Sequence, residues 1–176
     1  MIHVRPLSES DRAWAIQVEA ESWSETGVAR LGELVDPTQL PSFVALLNGQ
    51  RAGLASYAVR GDECELVTIR SLQEGQCVGR ALLDAVHDVA VKAGCTRLWL
   101  ITTNDNLRAL ELYQRWGMEL VAFHRHAVTE ARRRLKPSIP ERGTHGIPIA
   151  HEFELEVRLH STDQNGVHAS RSHNGM

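Results

Sequence analysis

The sequence predicts an α/β fold in which an antiparallel N-terminal meander is followed by a βαβαβ run. Two turn dipeptides, Asn48-Gly49 and Gly61-Asp62, separate three strand-like stretches, which calls for hairpins because these residues tolerate positive φ. Beyond Gly75 the apolar spacing lengthens to the helical i, i+4, i+7 pattern. Strand- and helix-like stretches then alternate, so at least the first strand pair must be parallel with a crossover.

The elements follow in order. Residues 2–5 alternate apolar and polar as a short strand does. Ser8, Ser10 and Asp11 offer helix caps ahead of a stretch to Trp23. Residues 25–34 are expected to form a second, shorter helix, broken by Asp36-Pro37. Strands are expected at 42–47, 52–59 and 64–71. A helix over 79–93 carries Leu82, Leu83, Val86, Val89, Ala90 and Ala93 on one face, with Gly94 as its C-terminal cap. Strand 98–103, helix 104–116 and strand 120–126 follow. In the last strand Phe153, Leu155, Val157 and Leu159 alternate with Glu152, Glu154, Glu156 and Arg158, predicting one buried and one wet face. Residues 127–150 read as a basic segment punctuated by Pro and Gly, and 161–176 as a polar tail beyond a single domain over 1–160.

Composition narrows the function. A formal charge of −3 gives no global attraction to nucleic acid or anionic membrane. No apolar run reaches the roughly 20 residues of a membrane span, and the N-terminus lacks the apolar centre of a secretory signal. Three cysteines without CxxC spacing argue against a disulfide framework, so the expected location is cytoplasmic.

Chemistry concentrates in two places. The turn Glu74-Gly75-Gln76-Cys77-Val78-Gly79-Arg80 lies between a strand and an amphipathic helix, where backbone N–H groups and the helix dipole favour a phosphate. It carries neither the Lys-Ser/Thr pair of a Walker loop nor GxGxxG. A tight connection is the plainer reading of such a turn taken alone. Asn106 and Tyr113 stand seven residues apart, nearly two helical turns, and share a face after the second crossover strand. Simple core packing of Tyr113 is the alternative.

This order of turn, helix, strand and AsnxxxxxxTyr resembles the GNAT family of acyl-CoA-dependent N-acetyltransferases. The family turn, Gln/Arg-x-x-Gly-x-Gly/Ala, is met at Glu74–Gly79, and its later pattern at Asn106, Ala109, Tyr113 and Gly117-Met118. Glu74 stands where Gln or Arg is usual, and Cys77 where the first Gly is usual. The resemblance implies a GNAT-like acyl-CoA N-acyltransferase fold with a splayed central strand pair, with acetyl-CoA as co-substrate and no metal. It implies that Gly75, Gln76, Cys77, Val78, Gly79 and Arg80 bind the pyrophosphate, and that the main chain near Ile69 binds the pantetheine arm and the thioester carbonyl. Asn106 would bond the pantetheine or a water, and Tyr113 would protonate the departing thiolate. A primary amine of a small molecule or peptide would attack directly. Because free amines near pKa 10 are mostly protonated, a base is expected; Glu65 on the central strand is the first candidate, the alternative being an exposed strand carboxylate opposite a basic neighbour. The alternative is a non-catalytic acyl-CoA-binding module of the same fold. A homodimer is compatible with such a fold.

Other features invite sharper readings. His124 and His126 share a strand face but have no third metal ligand at suitable spacing. Arg132–Arg134 with Lys136 lacks the interleaved aromatics of a nucleic-acid site, so a solvated loop or a lid over the acceptor pocket is expected. No nucleic-acid or membrane partner is expected.

Overall fold

A computed structural model describes residues 1–23 and 27–159. The elements are β1 (Ile2–Pro6), α1 (Arg12–Trp23), β2 (Val28–Arg30), β3 (Glu33–Val35), β4 (Ser42–Leu47), β5 (Gln50–Arg60), β6 (Glu63–Ser71), α2 (Val78–Lys92), β7 (Arg97–Thr103), α3 (Leu107–Trp116), β8 (Glu119–His124), α4 (Ala127–Arg134) and β9 (Glu152–Arg158). Seven strands form one sheet in the order β1-β4-β5-β6-β7-β9-β8, while β2 and β3 pair only with each other. The β6–β7 pair is parallel and the remaining pairs are antiparallel.

The predicted meander is present as β4, β5 and β6, with Asn48 and Gly49 both at positive φ in the first turn. Helix α2 lays Val78, Leu82, Leu83, Val86 and Ala90 on one face of the sheet, against Ala45, Ala55, Leu66, Leu98 and Leu100. On the opposite face Ala15 and Val18 of α1 meet Val44 and Leu54. Adjacent β4 residues, Val44 and Ala45, thus serve opposite layers, as the period-two geometry of a strand requires.

Three expectations are corrected. Where a second helix was expected over 25–34, residues 28–35 form the β2–β3 hairpin; residues 24–26 lie outside the described residues. Leu31 and Gly32 turn the chain at positive φ, and the hairpin is held by side chains of the main sheet rather than by its own propensity. Within 127–150, residues 127–134 form α4, which buries Val128 and Ala131. Arg132, part of the supposed solvated cluster, donates to the carbonyls of Ile139, Pro140 and Ile149 at 2.7–2.9 Å. Lys136 is buried and donates to Gly27 O. The acidic face of β9 is not wet: Glu152 and Glu156 are both buried. Among the described residues no helix is long and apolar enough to cross a membrane.

Asp11 clamps the N-terminal layer. Its fully buried carboxylate accepts from Arg5 at 2.6 Å, Arg51 at 2.9 Å, and the Ser8 amide and hydroxyl at 3.0 and 2.6 Å. The Arg5 bond holds the carboxyl far below its usual range, with Ser8 and Arg51 adding to the effect against the opposing cost of burial. A lowered folded-state pKa means this stabilisation is complete above the ordinary carboxylate range, near 4, and is lost only as pH falls towards the folded value. Asp11→Asn should lower unfolding free energy by about 2–3 kcal/mol at pH 7. In urea titrations this deficit should be steady from pH 8 to 5 and shrink under strong acid.

Candidate active site

The parallel β6–β7 pair is short. Register runs through Glu63 with Arg97, Cys64 with Leu98 and Glu65 with Trp99, and there it stops. Past this point β6 continues to Ser71 paired with β5 alone, and β7 to Thr103 paired with β9 alone. The register between β5 and β6 shifts at Ser56/Tyr57, leaving Val67 as an extra residue where the strands part. A bulge of this kind bends its strand and increases the twist. The two facing edges then open into a cleft of about 810 Å³, lined by residues 66–71 and 101–103.

One end of the cleft is made locally. Gly75 and Cys77 adopt positive φ, and α2 begins at Val78. The amides of Val78, Gly79 and Arg80 are first-turn donors without an acceptor inside the helix. Cys77, unusual at this place in the turn, keeps its amide and leaves its side chain exposed. Gly79 is needed for close approach, since a Cβ there would come within 3.1 Å of Leu112 Cδ2 on α3. Ile69, Gly75, Cys77, Val78, Gly79, Arg80, Asn106 and Tyr113 all line this one cleft; Gln76 is exposed and does not.

Asn106 is not inside the helix, as expected, but caps α3, its side-chain oxygen accepting from the Ala109 amide at 3.4 Å. Its amide nitrogen remains available as a donor. Tyr113 is buried, and burial pushes its phenol well above the usual range, so it holds its proton at working pH. Glu74 does not intrude on the amides unaccompanied: Arg108 Nη1 donates to its Oε1 at 2.5 Å and keeps its carboxyl below the ordinary range.

Glu65, expected as the base, is occupied otherwise. Arg30 Nε and Nη2 donate to its two oxygens at 2.6 and 2.8 Å, with both side chains about 5% exposed or less, and Glu65 does not line the cleft. A carboxylate with both oxygens committed to a guanidinium anchors the β2–β3 hairpin and is poorly placed to take a proton. Glu152, expected on a wet face, does line the cleft, at 1% exposure. Burial raises its pKa, against the opposing Leu31 amide, 3.0 Å from Oε2, and the charges of His124 and Arg30. The signal was present but ambiguous. Arg97 neutralises Glu63, Glu154 and Glu156 together, and Glu152 is not in that set.

A second carboxylate, Glu19 of α1, was also missed. Its Oε1 accepts from Thr68 at 2.7 Å and Ser56 at 3.3 Å, and burial raises its pKa. His124 meets Glu154 at 3.1 Å, and His126 donates its amide to His151 Nδ1 at 2.9 Å. Among the described residues no group of three or more His, Cys, Asp or Glu is arranged to hold a metal ion.

An open strand edge leading to helix-terminal amides, with a buried tyrosine beside the gap, defines the acyl-CoA acyltransferase class of fold. The model of the acetyltransferase (GNAT) family matches residues 7–118, and the chain belongs to that family. The uncharacterized protein YdhI of Bacillus subtilis (strain 168) is 35% identical over 154 residues, spanning 87% of this chain and 96% of that protein. Among solved structures, an acetyltransferase of Bacillus subtilis in complex with CoA superposes with a TM-score of 0.65 at 17% identity, covering 90% of this chain and 99% of the other. The ribosomal-protein-S18-alanine N-acetyltransferase of Escherichia coli gives 0.62 at 21%, covering 90% and 94%. At these identities the solved structures share the fold.

Glu65→Gln should leave the buried Arg30 guanidinium with a single neutral acceptor at this position and the exposed Glu33 at 2.8 Å, lowering unfolding free energy by about 3 kcal/mol. Urea unfolding checks this. A stability unchanged within error would return Glu65 to candidacy for chemistry.

Proposed function

We propose that the chain transfers an acetyl group from acetyl-CoA to a primary amine of a small molecule or peptide, by direct attack in a ternary complex. The observation that carries this reading is the unpaired edge of β6 facing a cleft that runs from the α2 amides to Tyr113 and Glu152. Buried main-chain donors and acceptors need partners, and an extended pantetheine amide arm supplies them by completing the sheet. The amides at 75–80 receive the pyrophosphate. A main-chain N–H near Ile69 polarises the thioester carbonyl and stabilises the oxyanion. Family membership and a CoA-bound structural neighbour support the donor. A neighbour that acetylates an alanine of a ribosomal protein supports an amine acceptor.

Proton traffic has two ends. The ammonium form of the acceptor gives a proton to Glu152, which replaces Glu65 in this role because it lines the cleft and, among the described residues, has no guanidinium bonded to it. The neutral amine attacks the thioester carbon, the C–N bond forms and the C–S bond breaks. Tyr113 gives its proton to the thiolate; Asn106 orients the arm.

Thiol release from acetyl-CoA across an amine panel tests the reading. Tight CoA binding with no turnover for any amine would favour the non-catalytic module. Tyr113→Phe should lower kcat by about a hundredfold with CoA affinity nearly unchanged. Because burial favours the protonated form of Glu152 and the base must be ionised, the rate should fall with decreasing pH through a midpoint above the ordinary glutamate range. In Glu152→Gln this acid limb should vanish, with kcat reduced by about two orders of magnitude. A limb that survives the substitution assigns it to another group.

A further inference from the structure

The donor end of the cleft carries one feature that phosphate binding by amides does not require. Glu74, at the start of the turn, and Arg108, in the first turn of α3, are 34 positions apart in sequence and joined at 2.5 Å. Both line the cleft, one on each wall, so their bond crosses its rim. Among the described residues it is the one ion pair between this turn and α3.

Resting on the acyl-CoA reading above, we propose that Arg108 is a phosphate-binding side chain of the donor site and that Glu74 is its built-in competitor, released when the pyrophosphate arrives. The pair is cheap to break. Its side chains are 74% and 68% exposed, and an exposed pair of this kind contributes little because water and salt screen it. An arginine fork gains more from a phosphate, which can accept two parallel N–H bonds. The α2 amides next to Glu74 fix the phosphate within reach of that wall, so the exchange needs a side-chain rotation and no movement of an element. Of the other four arginines lining the cleft, Arg30 is held by Glu33 and Glu65, Arg115 is paired at 3.1 Å with Glu111 on its own helix, and among the described residues neither Arg70 nor Arg80 pairs with Glu74. Glu74 therefore acts twice on the donor: it holds Arg108 in place before binding, and it weakens binding by competing for that side chain. Faster release of spent CoA is the kinetic expression of the same competition.

The test is a double-substitution cycle read by calorimetric titration with CoA at low salt. Both side chains are exposed, so the variants should fold, which far-UV circular dichroism checks. Glu74→Gln should tighten CoA about two- to fivefold, the range of an exposed ion pair. Arg108→Gln should weaken it by a comparable or larger factor. In the Arg108→Gln background the gain from Glu74→Gln should largely disappear. Pantetheine, which has no pyrophosphate, should respond to neither substitution. An equal gain from Glu74→Gln in both backgrounds would mean simple charge repulsion and overturn the competition. An Arg108→Gln variant binding CoA as the unaltered chain does would overturn the phosphate assignment. Failure of the unaltered chain to bind CoA at all would instead overturn the donor reading beneath it.

Discussion

The parting of β6 and β7 after Glu65 and Trp99 is the constraint from which the rest of the molecule follows. A parallel pair at the centre of a seven-stranded sheet would ordinarily continue for the length of both strands. Here each strand keeps its outer neighbour and gives up the inner one, so the sheet holds together through β5 and β9 while its middle is open. The cost is a set of main-chain groups with no partner in the ladder. That cost is tolerable because the bulge at Val67 turns the edge towards a cleft. The α2 amides, Asn106 and Tyr113 are all arranged around this opening, which would not exist if the strands closed.

The two faces of the sheet solve different problems. The α2 face is apolar and continuous, with Leu82, Leu83 and Leu98 fully buried, and it anchors the helix into which the turn over 74–80 leads. The α1 face is rich in buried carboxylates: Asp11, Glu19, Glu65, Glu152 and Glu156. Most are compensated by arginine, Arg5 and Arg51 for Asp11, Arg30 for Glu65, Arg97 for Glu156. Glu19 and Glu152 are held by hydroxyls or an amide instead, and burial raises the pKa of both. A layer in which most charges are cancelled makes the few uncancelled ones chemically distinct.

What could be read in the sequence was what local chemistry dictates. The Asn48-Gly49 turn, the amphipathic stripe of α2 and the Gly-containing turn before it lie within single short segments, so that end of the cleft was legible. The other end of the cleft is assembled from residues near 30, 68, 102 and 152, and no short window contains it. The β2–β3 hairpin was misread as helix because its strands are three residues each, and its fixings come from Glu65 and Glu152, far along the chain. Glu152 was misjudged for the same reason. Period-two alternation tells which face a strand residue occupies, but not whether another element will cover that face. Glu65 was chosen for its central strand and lost to a partner 35 positions away that no motif announces.

The segment after β8 shows how such a cover can be kept while its contents change. Arg132 and Lys136 reach carbonyl oxygens of Ile139, Pro140, Ile149 and Gly27, so main-chain acceptors carry much of the fastening, beside a 3.5 Å ion pair of Arg132 with Glu141. A carbonyl is offered by every amino acid. Substitutions at the receiving positions therefore leave these carbonyl bonds intact, and descendants of this chain can vary the chemistry of those positions while keeping the same main-chain acceptors.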